Sequence, residues 1–83
     1  MEAVDGNAIA GALRVAFGHE MTSARCTCGT CGRTNLLAAF RVYLRAPGAV
    51  ARCPACGEVG LVLIEARGVV CIDAQGLVAM SVG

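Results

Sequence analysis

Residues 28–57 read CGTCGRTNLLAAFRVYLRAPGAVARCPACG, and this stretch begins and ends with the same five-residue unit, C-x-x-C-G. Two thiols with two residues between them can bind one ion if the chain between them turns tightly. The glycine after the second cysteine permits the positive φ with which such a turn reverses. The 21 residues between Cys31 and Cys53 come within one residue of the separation typical of zinc sites. The spacing predicts one tetrahedral metal site, held by Cys28, Cys31, Cys53 and Cys56.

Zinc is the metal that this set of ligands favours. Four thiolates at about 2.3 Å satisfy its tetrahedral preference and leave no open position for water or substrate. The two C-x-x-C-G units, called knuckles below, also resemble those of rubredoxins, in which iron carries one electron. Rubredoxins have a longer separation and an aromatic core, whereas the aromatic residues here are Phe17, Phe40 and Tyr43. We therefore predict zinc, with iron as the alternative.

The size and composition of the chain indicate why it needs a metal. Its 83 residues suffice for a single domain, residues 1–83, and a domain of this size has a marginal core. Much of the apolar content is Ala and Val, which bury little area each, so a metal is expected to stabilise the fold. The net charge of +1 does not favour a strong nucleic-acid or anionic-membrane binder.

An N-terminal helix is predicted over residues 5–17. Asp5 is a good N-cap, and Gly18 can end the helix in a left-handed conformation. Ile9, Leu13, Ala16 and Phe17 fall on one helical face and are expected to be buried.

The rest of the chain, about residues 24–82, predicts β-structure. Residues 36–45 alternate with period two, and residues 59–66 are a nearly continuous apolar run that suits a central strand covered on both faces. Further strands are expected at 49–52, 69–73 and 77–82, with turns at 46–48, 67–68 and 74–76. The predicted fold is a small α+β domain, in which the helix packs on an antiparallel β-ribbon sheet of three to five strands.

One face of the first predicted hairpin carries a basic and aromatic group. Arg41, Tyr43 and Arg45 share a strand face, and the hairpin is expected to bring Arg52 opposite Tyr43. Such a surface suits a protein partner or nucleic acid. The alternative is a solvated face on which the arginine stems cover the tyrosine.

Three further residues have metal-binding or nucleophilic side chains. Cys26 lies two residues before Cys28, and we expect an exposed or half-buried spare thiol rather than a ligand. Cys71 lies in the apolar run Val69–Ile72 and is expected to be a small buried hydrophobe. His19 follows the helix and is expected to be exposed to solvent.

Other functional classes find little support. There is one His, no phosphate-binding loop and no dinucleotide fingerprint, so we expect a protein that is not an enzyme. The N-terminus is acidic and has no apolar segment typical of a secretory signal, and residues 59–66 are too few to span a membrane. We predict a cytoplasmic protein, in which paired cysteines favour metal binding over disulfides.

The knuckles resemble the zinc-ribbon class, and the whole chain resembles a family of small, uncharacterised actinobacterial proteins. The residues that carry the closer resemblance are Asp5-Gly6-Asn7-Ala8, Ala10-Gly11, Phe17-Gly18, Met21-Thr22, the first knuckle, Tyr43 to Gly48, Arg52-Cys53-Pro54, Asp73 and Gly76. The resemblance implies a zinc-ribbon fold with an N-terminal helix and implies no activity.

The predicted function is therefore that of a protein-interaction or accessory module with a structural zinc. A nucleic-acid-binding zinc ribbon and an iron electron carrier are the alternatives. The apolar excess also predicts a surface for a protein partner or a second copy of the chain.

Overall fold

The strands of this protein form two antiparallel sheets. The computed structural model describes residues 4–45 and 48–82. In chain order the elements are β1 (Val4–Asp5), a 3₁₀ helix (Gly6–Ile9), α1 (Ala10–Phe17), β2 (Arg25–Cys28), β3 (Thr34–Leu36), a second 3₁₀ helix (Leu37–Ala39), β4 (Arg41–Arg45), β5 (Gly48–Arg52), β6 (Val59–Ala66), β7 (Val69–Asp73) and β8 (Leu77–Ser81). The larger sheet has the order β1-β4-β5-β6-β7 and the smaller one the order β3-β2-β8. The α+β class is confirmed, although the strands divide between two sheets.

The N-terminal helical segment begins and ends where the sequence predicts. The Asp5 carboxylate accepts a hydrogen bond from the backbone N–H of Asn7 at 3.0 Å, and the first turn is 3₁₀ rather than α. Gly18 ends the segment with φ 76°. Ile9 and Leu13 are buried as predicted. The prediction is wrong for Ala16 and Phe17, which lie in the last turn of this two-turn helix and are exposed.

The predicted strand over residues 36–45 is wrong in its first half. The backbone N–H groups of Leu37 and Ala38 donate to the carbonyls of Ala24 and Thr22, both at 2.9 Å, and not to a neighbouring strand. The chain therefore forms a 3₁₀ turn at Leu37–Ala39 before β4 begins. With this turn in place, Leu37 is buried and Leu36 is exposed.

The hairpin of β4 and β5 has a different register from the predicted one. Arg52 lies opposite Arg41, and Tyr43 lies opposite Val50. The difference arises because β5 begins at Gly48, which pairs with Arg45, so the connection contains two residues only. Those residues, 46 and 47, carry the predicted turn and lie outside the described part of the chain.

The strands β6 and β7 have the predicted bounds. Arg67 and Gly68 connect them with φ of 52° and 78°, which is typical of a two-residue hairpin turn. β6 lies between β5 and β7. Its expected coverage on both faces is wrong in its second half, because Ile64 is 46% exposed.

One face of the five-stranded sheet, called the inner face, carries the buried side chains. They are Val42, Ala49, Ala51, Leu61 and Leu63. These residues pack in one cluster with Ile9 and Leu13 of the helical segment, Cys26 of β2, and Phe40. The opposite, outer face carries exposed or half-buried side chains, which are Arg41, Tyr43, Arg45, Val50, Arg52, Val62, Ile64, Val69, Cys71 and Asp73.

Candidate metal centre

The two knuckles adopt the same backbone conformation, although one follows β2 and the other follows β5. In the first, the Cys28 N–H donates to the Arg33 carbonyl at 2.9 Å. In the second, the Cys53 N–H donates to the Glu58 carbonyl at the same distance. The equal offset of five residues shows that each C-x-x-C-G unit forms the same tight turn.

The glycine of each knuckle closes this turn. The N–H groups of Gly32 and Gly57 donate to the carbonyls of Cys28 and Cys53, at 3.0 and 2.9 Å. The two glycines have φ of 76° and 82°, a region that other residues rarely adopt. The glycine that ends each motif is therefore required by the backbone of the turn.

The structure brings the sulfur atoms of the two knuckles together. The four Sγ atoms of Cys28, Cys31, Cys53 and Cys56 all lie within 4.8 Å of one another. The Sγ atoms of Cys28 and Cys56 are 3.6 Å apart, and those of Cys31 and Cys53 are 3.7 Å apart. Sulfurs that surround a metal tetrahedrally at about 2.3 Å are separated by about 3.8 Å, whereas a disulfide bond measures about 2.05 Å. The geometry fits four ligands of one metal ion and does not fit disulfides.

Backbone N–H groups stabilise negative charge on the sulfurs. The N–H of Thr30 donates to Cys28 Sγ and that of Ala55 donates to Cys53 Sγ, both at 3.4 Å. Hydrogen bonds from the backbone of Cys31 and then of Thr30 lower the pKa of the Cys28 thiol to about 6.

The pKa of the Cys56 thiol is raised, whereas that of the Cys28 thiol is lowered. A backbone hydrogen bond from Glu58 lowers the pKa of the Cys56 thiol, but desolvation and the neighbouring thiols outweigh that bond and raise the pKa to about 12. Four adjacent thiols cannot all ionise without a compensating cation. This arrangement suits a divalent metal, whose positive charge offsets part of the negative charge of the thiolates.

The candidate metal centre lies where the two sheets meet. Cys28 is the last residue of β2 in the three-stranded sheet, and Cys53 directly follows β5 of the five-stranded sheet. In each knuckle the first cysteine is buried and the second is exposed. A metal ion bound here would link the two sheets at the edge of the core.

The predicted degree of burial is wrong for both remaining cysteines, although Cys26 lies, as predicted, outside the group of four that could share a metal. Cys26 is fully buried in the core, where burial raises the pKa of its thiol to about 11. A bulge between Thr27 and Cys28 separates it from the metal-binding turn. Cys71 is exposed, because β7 is an edge strand and it is the alternate residues Val70 and Ile72 that pack against the core.

His19 is exposed after the helix, as predicted. Among residues 4–45 and 48–82, the four knuckle cysteines are the one group of three or more His, Cys, Asp or Glu side chains that are close enough to share a metal.

The predicted surface residues of the hairpin lie together on the outer face. The Arg52 guanidinium lies over the Tyr43 ring, 5.8 Å from its centroid, and its Nη1 donates to the Gly57 carbonyl at 2.9 Å. Tyr43, Arg45, Val50 and Arg52 line a cavity of about 470 Å³. Arg41 is exposed directly opposite Arg52. The place of Val50 was not predicted, since it depends on the register of the hairpin. The bond to Gly57 was not predicted either, since it depends on the turn of the second knuckle.

Residues 1–83 match a family of unknown function, DUF6510. The chain belongs to the DUF6510 family. No curated protein and no solved structure matches it. The predicted membership of an uncharacterised family is confirmed, whereas the zinc-ribbon class and the actinobacterial origin stay predictions. In the described part of this DUF6510 member, no helix is long and apolar enough to cross a membrane.

Proposed function

We propose that this DUF6510 protein is a small, non-enzymatic zinc-ribbon module that binds a protein partner. A structural Zn²⁺ held by Cys28, Cys31, Cys53 and Cys56 would fix the two sheets relative to each other and so present the exposed surfaces. The proposal is supported above all by the convergence of four Sγ atoms within 4.8 Å from two different sheets.

A structural role follows from the number and kind of ligands. Four cysteines complete the coordination of zinc, so no position remains at which water or substrate could be activated. When bound, the ion supplies the positive charge that four thiolates require. The N–H groups of Thr30 and Ala55 orient two of those sulfurs. The thiols must stay reduced, so we place the protein in the cytoplasm.

Iron is the alternative metal, because the same sulfur geometry accepts it. An iron form would be coloured and would change its spectrum on reduction, whereas the zinc form is colourless and has no redox chemistry. The absorption spectrum of natively expressed protein therefore distinguishes the electron carrier from the structural module.

The structural role is tested by thermal unfolding with and without a strong zinc chelator. Binding of structural zinc contributes about 10–16 kcal/mol in small zinc domains, which is as large as the whole stability of a typical domain, about 5–15 kcal/mol. We therefore expect the chelated protein and the Cys56→Ser variant to be unfolded at 25 °C, and the matched Cys71→Ser variant to unfold like the native chain. A folded Cys56→Ser variant with an unchanged melting temperature would contradict the proposal.

A further inference from the structure

The outer face of the five-stranded sheet is an open surface with two distinct halves. The helix and β2 contribute to the core on the inner side of the sheet. On the outer side, β6 and β7 present aliphatic side chains, among which Ile64 is 46% and Val69 59% exposed, with Val62 half-buried between the strands. β4 and β5 present Arg41, Arg45 and Arg52. We call these the apolar half and the basic half.

The basic half brings like charges together. Arg41 and Arg52 are direct partners across β4 and β5, and both are exposed. Like charges at directly opposite positions of a sheet destabilise it. Asp5 is the partner of Arg41 on the other side and offsets part of its charge, although one carboxylate oxygen already accepts the hydrogen bond that caps the 3₁₀ helix. Asp73 pairs with Val62, at the far edge of the sheet. An added anion beside Arg41 and Arg52 would relieve the repulsion between them.

The cavity of the basic half is lined by both cationic and apolar side chains, which suits a side chain that ends in a carboxylate. Arg45 and Arg52 provide two guanidinium groups, and Val50 and Tyr43 provide an apolar floor and wall. Arg52 is held in place by the Gly57 carbonyl and the Tyr43 ring. A guanidinium has five N–H donors and one of those on Arg52 is used, so several remain for a ligand.

We propose that the outer face binds an acidic segment of a protein partner. Its carboxylates would contact Arg41, Arg45 and Arg52, and its apolar side chains would cover Ile64 and Val69. This inference rests on the proposed function and names the surface and the chemistry of the partner. Charge complementarity in the basic half and exposed aliphatic area in the apolar half together match a segment that carries both acidic and apolar residues.

A nucleic acid fits this face less well than a protein does. Binding of single strands without sequence preference relies on aromatic rings on which bases stack. The Tyr43 ring is half-buried and one of its faces is covered by Arg52. The apolar half, formed by β6 and β7, has no aromatic side chain among its described residues on which a base could stack.

The test is an NMR titration of the ¹⁵N-labelled, zinc-loaded full chain with a short synthetic peptide in which a block of Glu is followed by a block of Leu. We expect amide shifts confined to the outer-face strands β4 to β7. The Arg45→Gln variant should bind about fivefold to tenfold more weakly, since a charge-assisted hydrogen bond is lost. The matched Arg25→Gln variant, which changes an exposed strand arginine of the other sheet, should bind like the native chain.

Three results would overturn the inference. One is the absence of shifts at the outer face, and another is equal binding of a peptide with Gln in place of Glu. The third is tighter binding of an oligothymidylate through the same residues, which would assign the surface to nucleic acid. A protein that keeps its zinc and its chelator-dependent stability in these experiments would leave the structural role of the metal intact. The failure would then concern the outer face alone.

Discussion

Gly32 and Gly57 occupy equivalent positions in the two knuckles and have φ of 76° and 82°. A Cβ atom at either position would meet no other atom within 4 Å. The requirement for glycine therefore comes from the backbone conformation and not from a lack of space. Gly11 in α1 is the opposite case, because it has equal room and no positive φ.

This contrast predicts opposite effects of the same substitution. Gly57→Ala should lower the free energy of unfolding by about 1–2 kcal/mol, because alanine resists the left-handed conformation. Gly11→Ala should raise the free energy of unfolding by about 0.5–1 kcal/mol, since alanine favours the helix and restricts the unfolded chain. Denaturant unfolding at saturating zinc measures both values. Equal effects of the two substitutions would show that the knuckle does not need its positive φ.

The two cysteines outside the candidate metal centre should differ in reactivity. Cys71 is exposed, whereas Cys26 is buried and its thiol has a pKa raised to about 11. Because the thiolate is the nucleophile, both access and ionisation protect Cys26. We expect iodoacetamide at neutral pH to modify Cys71 in the folded, zinc-loaded protein and to modify Cys26 only after unfolding. Peptide mapping by mass spectrometry checks this, and equal rates at the two positions would contradict the packing of β2.

At the scale of elements, local signals predicted the later strands well. β6 and β7 have the predicted bounds because Arg67 and Gly68 form a turn whose conformation depends on these residues themselves. The segment before β4 could not be predicted in this way. Its alternation is that of a strand, but the N–H groups of Leu37 and Ala38 bind carbonyls about fifteen residues away in the chain. Contacts of this kind are tertiary, and a periodic pattern does not contain them.

The 3₁₀ turn at Leu37–Ala39 gives two neighbouring leucines opposite environments. Leu37 is 0% exposed and Leu36 is 46% exposed. We expect Leu37→Ala to lower the free energy of unfolding by about 2–5 kcal/mol, as buried leucines do, and the matched Leu36→Ala to lower it by less than about 1 kcal/mol. Urea unfolding of both variants measures the difference. A larger loss of stability for Leu36→Ala than for Leu37→Ala would contradict the 3₁₀ turn at Leu37–Ala39.

At the scale of the whole molecule, the candidate metal centre joins two sheets that share one small core. The convergence of the four cysteines could be predicted because each knuckle forms its turn from its own residues, and two such turns suffice to surround an ion. The division of the strands between two sheets could not be predicted. It depends on the pairing of β2 with β8, which are some fifty residues apart in the chain. The metal would therefore join two sheets whose knuckles are distant in the chain.

The metal content of the natively expressed protein tests this account most directly. Elemental analysis by mass spectrometry, together with the protein concentration, gives the number of zinc and iron atoms per chain. The account predicts one zinc per chain in a colourless protein, with the zinc lost in Cys28→Ser and retained in Cys71→Ser. A protein that is folded with no bound metal, or one that carries iron and absorbs visible light, would contradict it.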